Sequence, residues 1–200
     1  MFFSKISRES VFRNLFFLTI SNILLQVLGF AYRVFLSRVT GAEGMGLYQL
    51  VMPFYSLISS VTLTGLTVAV ARTSAARYGV GDFIGAKASV RRAFRLFSFS
   101  VVLCAIITFL FRKVICEAFL GDMRLHSSLP FLFICLFLTG FENINKNYFY
   151  GTDKVTPHIT SELSEQIIRA VSVGFLLLFF RPENPVFAVT LIICGMIISE

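Results

Sequence analysis

Residues 157–180 read PHITSELSEQIIRAVSVGFLLLFF, and this stretch decides the fold. Its second half, from Val171 to Phe180, is almost wholly apolar, whereas its first half carries Glu162, Glu165 and Arg169. An ionisable group at a bilayer centre costs roughly 2.5–3.5 kcal/mol on insertion scales. Three facing lipid would cost on the order of 8–10 kcal/mol by the same scale. They are tolerable in a span only if they face a protein interior or a watery cavity. His158, Glu162, Glu165, Gln166 and Arg169 follow the three-to-four-residue helical spacing and fall on one face. Glu165 precedes Arg169 by four residues, the better orientation for a helical ion pair. Two readings follow. The face is a cavity wall that handles an ion or a charged substrate, or it is a self-neutralising pair that joins helices near the cytoplasmic interface.

The rest of the chain also belongs in lipid. Of its 200 residues 56% are hydrophobic, with 24 Phe, more than one small soluble core could bury. A net charge of +7 would suggest nucleic acid in a soluble protein. Here the charge sits between apolar runs, so it reports topology, and no nucleic-acid partner is expected. Cys104, Cys116, Cys135 and Cys194 form no CxxC pair and read as small apolar residues. Lys5, Arg8 and Arg13 precede an apolar run that continues to Val34 without a small-x-small cleavage site, which reads as a first uncleaved span.

The reading is therefore an all-α integral membrane protein with about six transmembrane helices. Spans are expected at about 12–37, 46–71, 94–116, 128–150, 156–180 and 185–200. With the N-terminus in the cytoplasm, eleven basic residues lie inside and five outside, which favours that orientation. The loop 72–95 supplies six of the eleven. Its Gly79-Val-Gly-Asp82 run predicts a turn before a short amphipathic stretch.

Other spans carry polar residues too. Asn22, Gln26, Gly29 and Arg33 form one narrow stripe on the first. Arg33 either snorkels to the outer headgroups or binds phosphate as a planar, permanent cation. In the fourth, the clean apolar run Leu129–Phe141 has only 13 residues, and a span needs about 20. The missing turns contain Glu142, Asn145 and Lys146, so this half either faces a polar cavity or projects into the cytoplasm. In the second, Pro53 interrupts a run with Ser56, Ser60, Thr64 and Thr67 along one side, read as helix packing and a possible site of bending. No Walker loop, HExxH, GxSxG or metal-ligand cluster occurs, and neither an enzyme nor a cofactor is expected.

One junction carries a family signal. It reads Gly29-Phe-Ala-Tyr-Arg33-Val-Phe-Leu-Ser-Arg38, then Gly41-Ala-Glu-Gly-Met-Gly-Leu-Tyr-Gln49, then Pro53-Phe-Tyr55 and a run from Gly65 to Arg72. This resembles the stage V sporulation protein B and polysaccharide-biosynthesis family of the flippase superfamily. That superfamily also holds the lipid II flippases and the multidrug and toxin extrusion exporters. The resemblance extends more loosely over essentially the whole chain.

It implies two six-helix lobes around a central cavity that moves lipid-linked sugars by alternating access. This chain would be the N-terminal lobe, residues 1–200, with the C-terminal lobe absent. A truncated frame, a split gene or a half-transporter pairing with itself would each account for that. The expected substrate is a lipid-linked saccharide for peptidoglycan or another envelope polymer, with a sporulation association. The expected location is the bacterial cytoplasmic membrane. Arg33, Asn22, Gln26 and Arg169 are the candidate substrate-binding residues. Glu162, Glu165 and Glu142 are the candidates for coupling to a proton or sodium ion. Two rivals remain: a cation-coupled drug exporter of the same superfamily, and a non-transporting scaffold for an envelope-synthesis complex.

Overall fold

A computed structural model describes residues 8–151, 155–182 and 184–200, and among them there is no strand. Thr152–Lys154 and the side chain of His158 lie outside this set. The first helix, α1, runs from Arg8 to Gly79 and has one break, at Gly41 (φ 70°, ψ −176°). That backbone region is essentially closed to residues with a Cβ. A single glycine thus takes the place of the eight-residue junction expected between 37 and 46. Pro53 leaves the helix unbroken, since Gly41 holds the only non-helical backbone in α1.

The turn expected at 79–82 is present, but it leads directly into a long helix. Asp82 caps α2 (Phe83–Leu110) by accepting from Gly85 N at 2.8 Å, and Arg77 holds the Asp82 carboxylate at 3.0 Å. The expected amphipathic stretch is therefore the first three turns of α2 rather than a separate element. After α2 the chain narrows into irregular turns: α3 (Arg112–Val114), a π-turn (Ile115–Leu120) and a 3₁₀ turn (Met123–Ser127). Arg124 ties this link to the Gly41 corner through Glu43 at 3.0 Å. The Arg124 backbone N–H, and then its guanidinium, hold the Asp122 carboxyl below its ordinary range. Three helices follow: α4 (Leu129–Gly151), α5 (Val155–Phe180) and α6 (Pro185–Ser199). Asn184 caps α6, with Pro185 at the first helical position.

Residue pairings give the directions. Ser128 meets Thr190, and the carboxyl groups of Glu142 and Glu200 approach within 4.8 Å, so α4 and α6 run parallel. Gly195 packs on Val173 and Ser199 bonds Arg169, so α5 runs against α6. Gly29 approaches Gln166 and Phe35 lies over Gly174, which makes the arm before Gly41 parallel to α5. Tyr55 bonds Thr139 and Gly151 sits on Ala71, which makes the arm after Gly41 parallel to α4. The arms of α1 therefore run in opposite directions, and Gly41 reverses the chain.

Packing divides into two clusters. One gathers both arms of α1, α4 and α5 around α6, including Leu36, Val51, Cys135, Val173 and Ile192. The other locks α2 onto α4 and the second arm of α1 through Phe97, which is fully buried. Gly140 makes room for that ring: a Cβ there would sit 1.9 Å from Phe97 Cζ. Outside these clusters the surface is apolar. Phe30, Val61, Phe99 and Phe179 are each about 70% exposed, a coat that water does not tolerate at this extent. Three helical segments are long and apolar enough to cross a bilayer: Thr19–Gly79, Phe83–Leu110 and Ile159–Phe180. The chain is an all-α membrane protein.

Candidate functional site: an ion-pair cluster beside a polar recess

The polar halves of α4 and α5 meet, and the C-terminal end of α6 completes them. Spacing of three to four residues puts Thr139, Glu142 and Lys146 on one face of α4, and Ser161, Glu165 and Arg169 on one face of α5. Lys146 Nζ lies 2.9 Å from Glu142 Oε1 and 2.8 Å from Glu165 Oε2. Ser161 Oγ donates to Glu142 Oε1 at 2.8 Å. Arg169 Nη2 holds Glu165 Oε1 and, at 3.1 Å, Glu200 Oε1. Arg169 Nε donates to Ser199 Oγ at 3.3 Å. The Lys146 side chain is 8% exposed and that of Glu200 1%. At that burial an unpaired charge would be severely destabilising, so the five groups are held as one network.

Glu165 also belongs to a second feature. A recess of about 610 Å³ is lined by Asn22, Gln26, Gly29, Phe30 and Arg33 from α1, and by Glu162, Glu165 and Gln166 from α5. Gly29 permits the close approach of the two helices, since a Cβ there would stand 3.3 Å from Gln166 Nε2. Arg33 is the only cation among the described residues that line the recess, and it has no ion-pair partner among them.

Residues 11–200 match the family described as "polysaccharide biosynthesis protein". The chain belongs to that family. It is also similar to the stage V sporulation protein B of Bacillus subtilis (strain 168), at 24% identity over 176 residues. The match covers 88% of this chain and 34% of that relative, so the chain spans about a third of the relative's length. No solved structure matches it significantly. The resemblance read from the Gly41–Gln49 stretch is thus borne out at the level of the polysaccharide biosynthesis family.

Within this family member, the structure brings together Asn22, Gln26 and Arg33 with Glu162 and Glu165 around the recess. It draws Glu142 and Arg169 into the ion-pair network instead. In the polar half of α4, Lys146 is buried between helices, with its side chain 8% exposed. The sequence reading missed Lys146 as a partner of Glu165; its four-residue spacing from Glu142 signals only the pair within α4. It missed Glu200 entirely, where the only clue is a carboxylate directly following a 15-residue apolar helix. The Ser56, Ser60, Thr64 and Thr67 stripe, read as packing, lines a recess of about 330 Å³ together with Asn143 and Asn147.

Proposed function

We propose that this chain forms the N-terminal six-span lobe of a flippase that carries lipid-linked saccharide precursors across the bacterial cytoplasmic membrane for an envelope polymer. Its N-terminus lies in the cytoplasm, and a second lobe or a second copy supplies the opposite cavity wall. Alternating access then moves the headgroup between the two sides. A coupling cation biases the cycle through the carboxylates Glu142, Glu162 and Glu165.

The observation that carries this reading is the charge pattern around the recess. Arg33 faces it without an ion-pair partner among the described residues, while the nearby Glu165 is compensated by Lys146 and Arg169. A planar guanidinium with Asn22 and Gln26 beside it suits a diphosphate headgroup, which takes charge-assisted and neutral hydrogen bonds together. A cationic drug would meet Arg33 and, in Glu165, a carboxylate already neutralised, which leaves Glu162 as its counter-ion in the wall and disfavours the exporter reading. Family membership and the similarity to a sporulation protein supply the polysaccharide context.

The test is transport of a fluorescent lipid-linked saccharide by the full-length protein in liposomes. Charge-assisted hydrogen bonds contribute about 1.5–3 kcal/mol, so Arg33→Ala should weaken apparent affinity roughly 10- to 150-fold, with partial rescue by Arg33→Lys. Wild-type transport by Arg33→Ala at equal protein levels would overturn the assignment.

A further inference from the structure

Glu142, Glu165 and Glu200 each bring one carboxylate oxygen within 4.8 Å of the others, and the three carboxyl groups hold six oxygens in all. Four are occupied. Lys146 holds Glu142 Oε1 and Glu165 Oε2, and Arg169 holds Glu165 Oε1 and Glu200 Oε1. The remaining two, Glu142 Oε2 and Glu200 Oε2, are buried and have no donor among the described residues. They belong to two carboxyl groups whose oxygens approach within 4.8 Å of each other. A hydrogen bond between two carboxyl groups requires a proton on one of them, because an ionised carboxylate only accepts.

The charge count leads to the same place. Three carboxylates face two cations, which leaves one negative charge uncompensated in a buried site. Arg33 and Glu162, on the recess wall beside Glu165, add one charge of each sign and leave the count unchanged, and the other titratable neighbours do not supply the missing positive charge. Tyr32, Tyr48 and Tyr55 approach from α1, and Cys135 from α4. Each is neutral or anionic, never cationic. Thr139, also close to Glu200, is committed elsewhere: its hydroxyl donates to the Cys135 carbonyl at 2.9 Å and meets Tyr55 Oη at 2.8 Å.

We propose that Glu142 and Glu200 share a single proton, as a carboxylic acid–carboxylate pair that joins α4 to α6. One proton satisfies both orphan oxygens and brings the five-residue cluster to neutrality. Paired carboxyl groups at contact distance hold one proton between them for this reason, and they titrate as a pair. A metal ion fits less well. Hard divalent cations take about six or more oxygens, and the ammonium of Lys146 already bridges two of the three carboxylates. Loss of the proton would leave two carboxylates facing each other and would loosen α6 from α4, while Arg169 keeps α6 tied to α5. As the coupling step of transport this rests on the reading above; the proton itself does not.

The measurement is infrared spectroscopy of the full-length protein in lipid nanodiscs, with ¹³C-labelled glutamate to assign the band. One carboxylic-acid C=O band is expected at neutral pH. Both Glu142→Gln and Glu200→Gln should abolish it, because either leaves two carboxylates against two cations. Glu43→Gln, at the distant corner, should leave it intact. Absence of the band in the wild type would overturn the proposal, as would its survival in both variants. Loss of the band on adding sodium at fixed pH would also overturn it, by assigning the site to a metal cation. Should either variant fail to fold, the wild-type band and its loss on alkaline titration decide alone. Transport is not the readout, so a missing band would leave the flippase reading standing.

Discussion

Lys146→Met is the most incisive perturbation of the cluster. The substitution keeps the length of the stem and removes the ammonium that serves Glu142 and Glu165 together. The cluster then holds three carboxylates against Arg169 alone. The lost ammonium lay 92% out of solvent, so no water replaces it cheaply. Breaking a buried pair by removing one partner costs about 3–5 kcal/mol. For a chain of this size each kcal/mol moves Tm by about 2–4 °C, which gives a fall of about 6–20 °C. The chain carries its own reporter, since the thiols of Cys116 and Cys135 are buried and become reactive only on unfolding. A fluorogenic thiol reagent in detergent therefore reads Tm directly. The deficit should shrink as pH falls, because a carboxyl can take up the missing charge as a proton. Adding Glu142→Gln to Lys146→Met should recover more than half of the loss, since the double variant removes one of the two carboxylates that Lys146 compensated. A Tm change under about 2 °C for Lys146→Met would show that the cluster is solvated, and the argument from burial would collapse.

Three further outcomes are expected. Gly140→Val drives a branched side chain into the Phe97 ring and should cost about 1–3 kcal/mol by overpacking, read in the same melt; the additional change Phe97→Ala should relieve the clash, and an unshifted melt for Gly140→Val would refute the α2–α4 contact. The Asp122 carboxyl sits below its ordinary value, so its contribution is complete above the unfolded-state value near about 4 and is lost only as pH falls through the lower folded value. The Arg124 amide proton should report that inflection by NMR and lose it in Asp122→Asn; an inflection at or above the ordinary aspartate range would contradict the contact. Single cysteines at Val80, just before α2, and at Arg124, in the turns between α2 and α4, should react with an impermeant reagent from opposite faces of intact cells, Arg124 from outside; labelling of both from one face would reject the proposed orientation.

The membrane-spanning all-α character was legible because it follows from composition and run length, which tertiary structure does not alter. The polar face of α5 was equally legible, since helical periodicity places Glu162, Glu165 and Arg169 together whatever surrounds them. What the periodicity could not supply was the partner helix. Lys146 lies 19 residues from Glu165, and no local rule pairs them. Glu200 was invisible for the same reason: its meaning depends on α6 running antiparallel to α5, so that its carboxylate returns to the level of Arg169. The corner at Gly41 was visible as a glycine-rich junction, yet that a single residue reverses the chain depends on its positive φ, which no spacing encodes. Helix ends were the weakest reading. Asp82 starts α2 earlier than the hydrophobic run because a cap and the ion pair with Arg77 extend the helix into polar sequence.

Glu165 connects the two features and gives the arrangement its logic. One of its oxygens meets Lys146 and the other meets Arg169, while the residue also stands in the wall of the recess that holds Arg33. A bare carboxylate in that wall would repel the phosphates that the proposed reading places beside Arg33. Compensation from behind by two cations removes most of that repulsion, because charges within a few ångströms of each other cancel at the longer distance of a ligand. The cluster therefore makes an anion-accepting recess compatible with Glu165 on its wall. Any change that strips Lys146 or Arg169 from Glu165 alters the field at Arg33 without touching the recess itself. Under the proposed reading, the shared proton on Glu142 and Glu200 reaches the substrate by that route, through the charge balance of a network to which both belong.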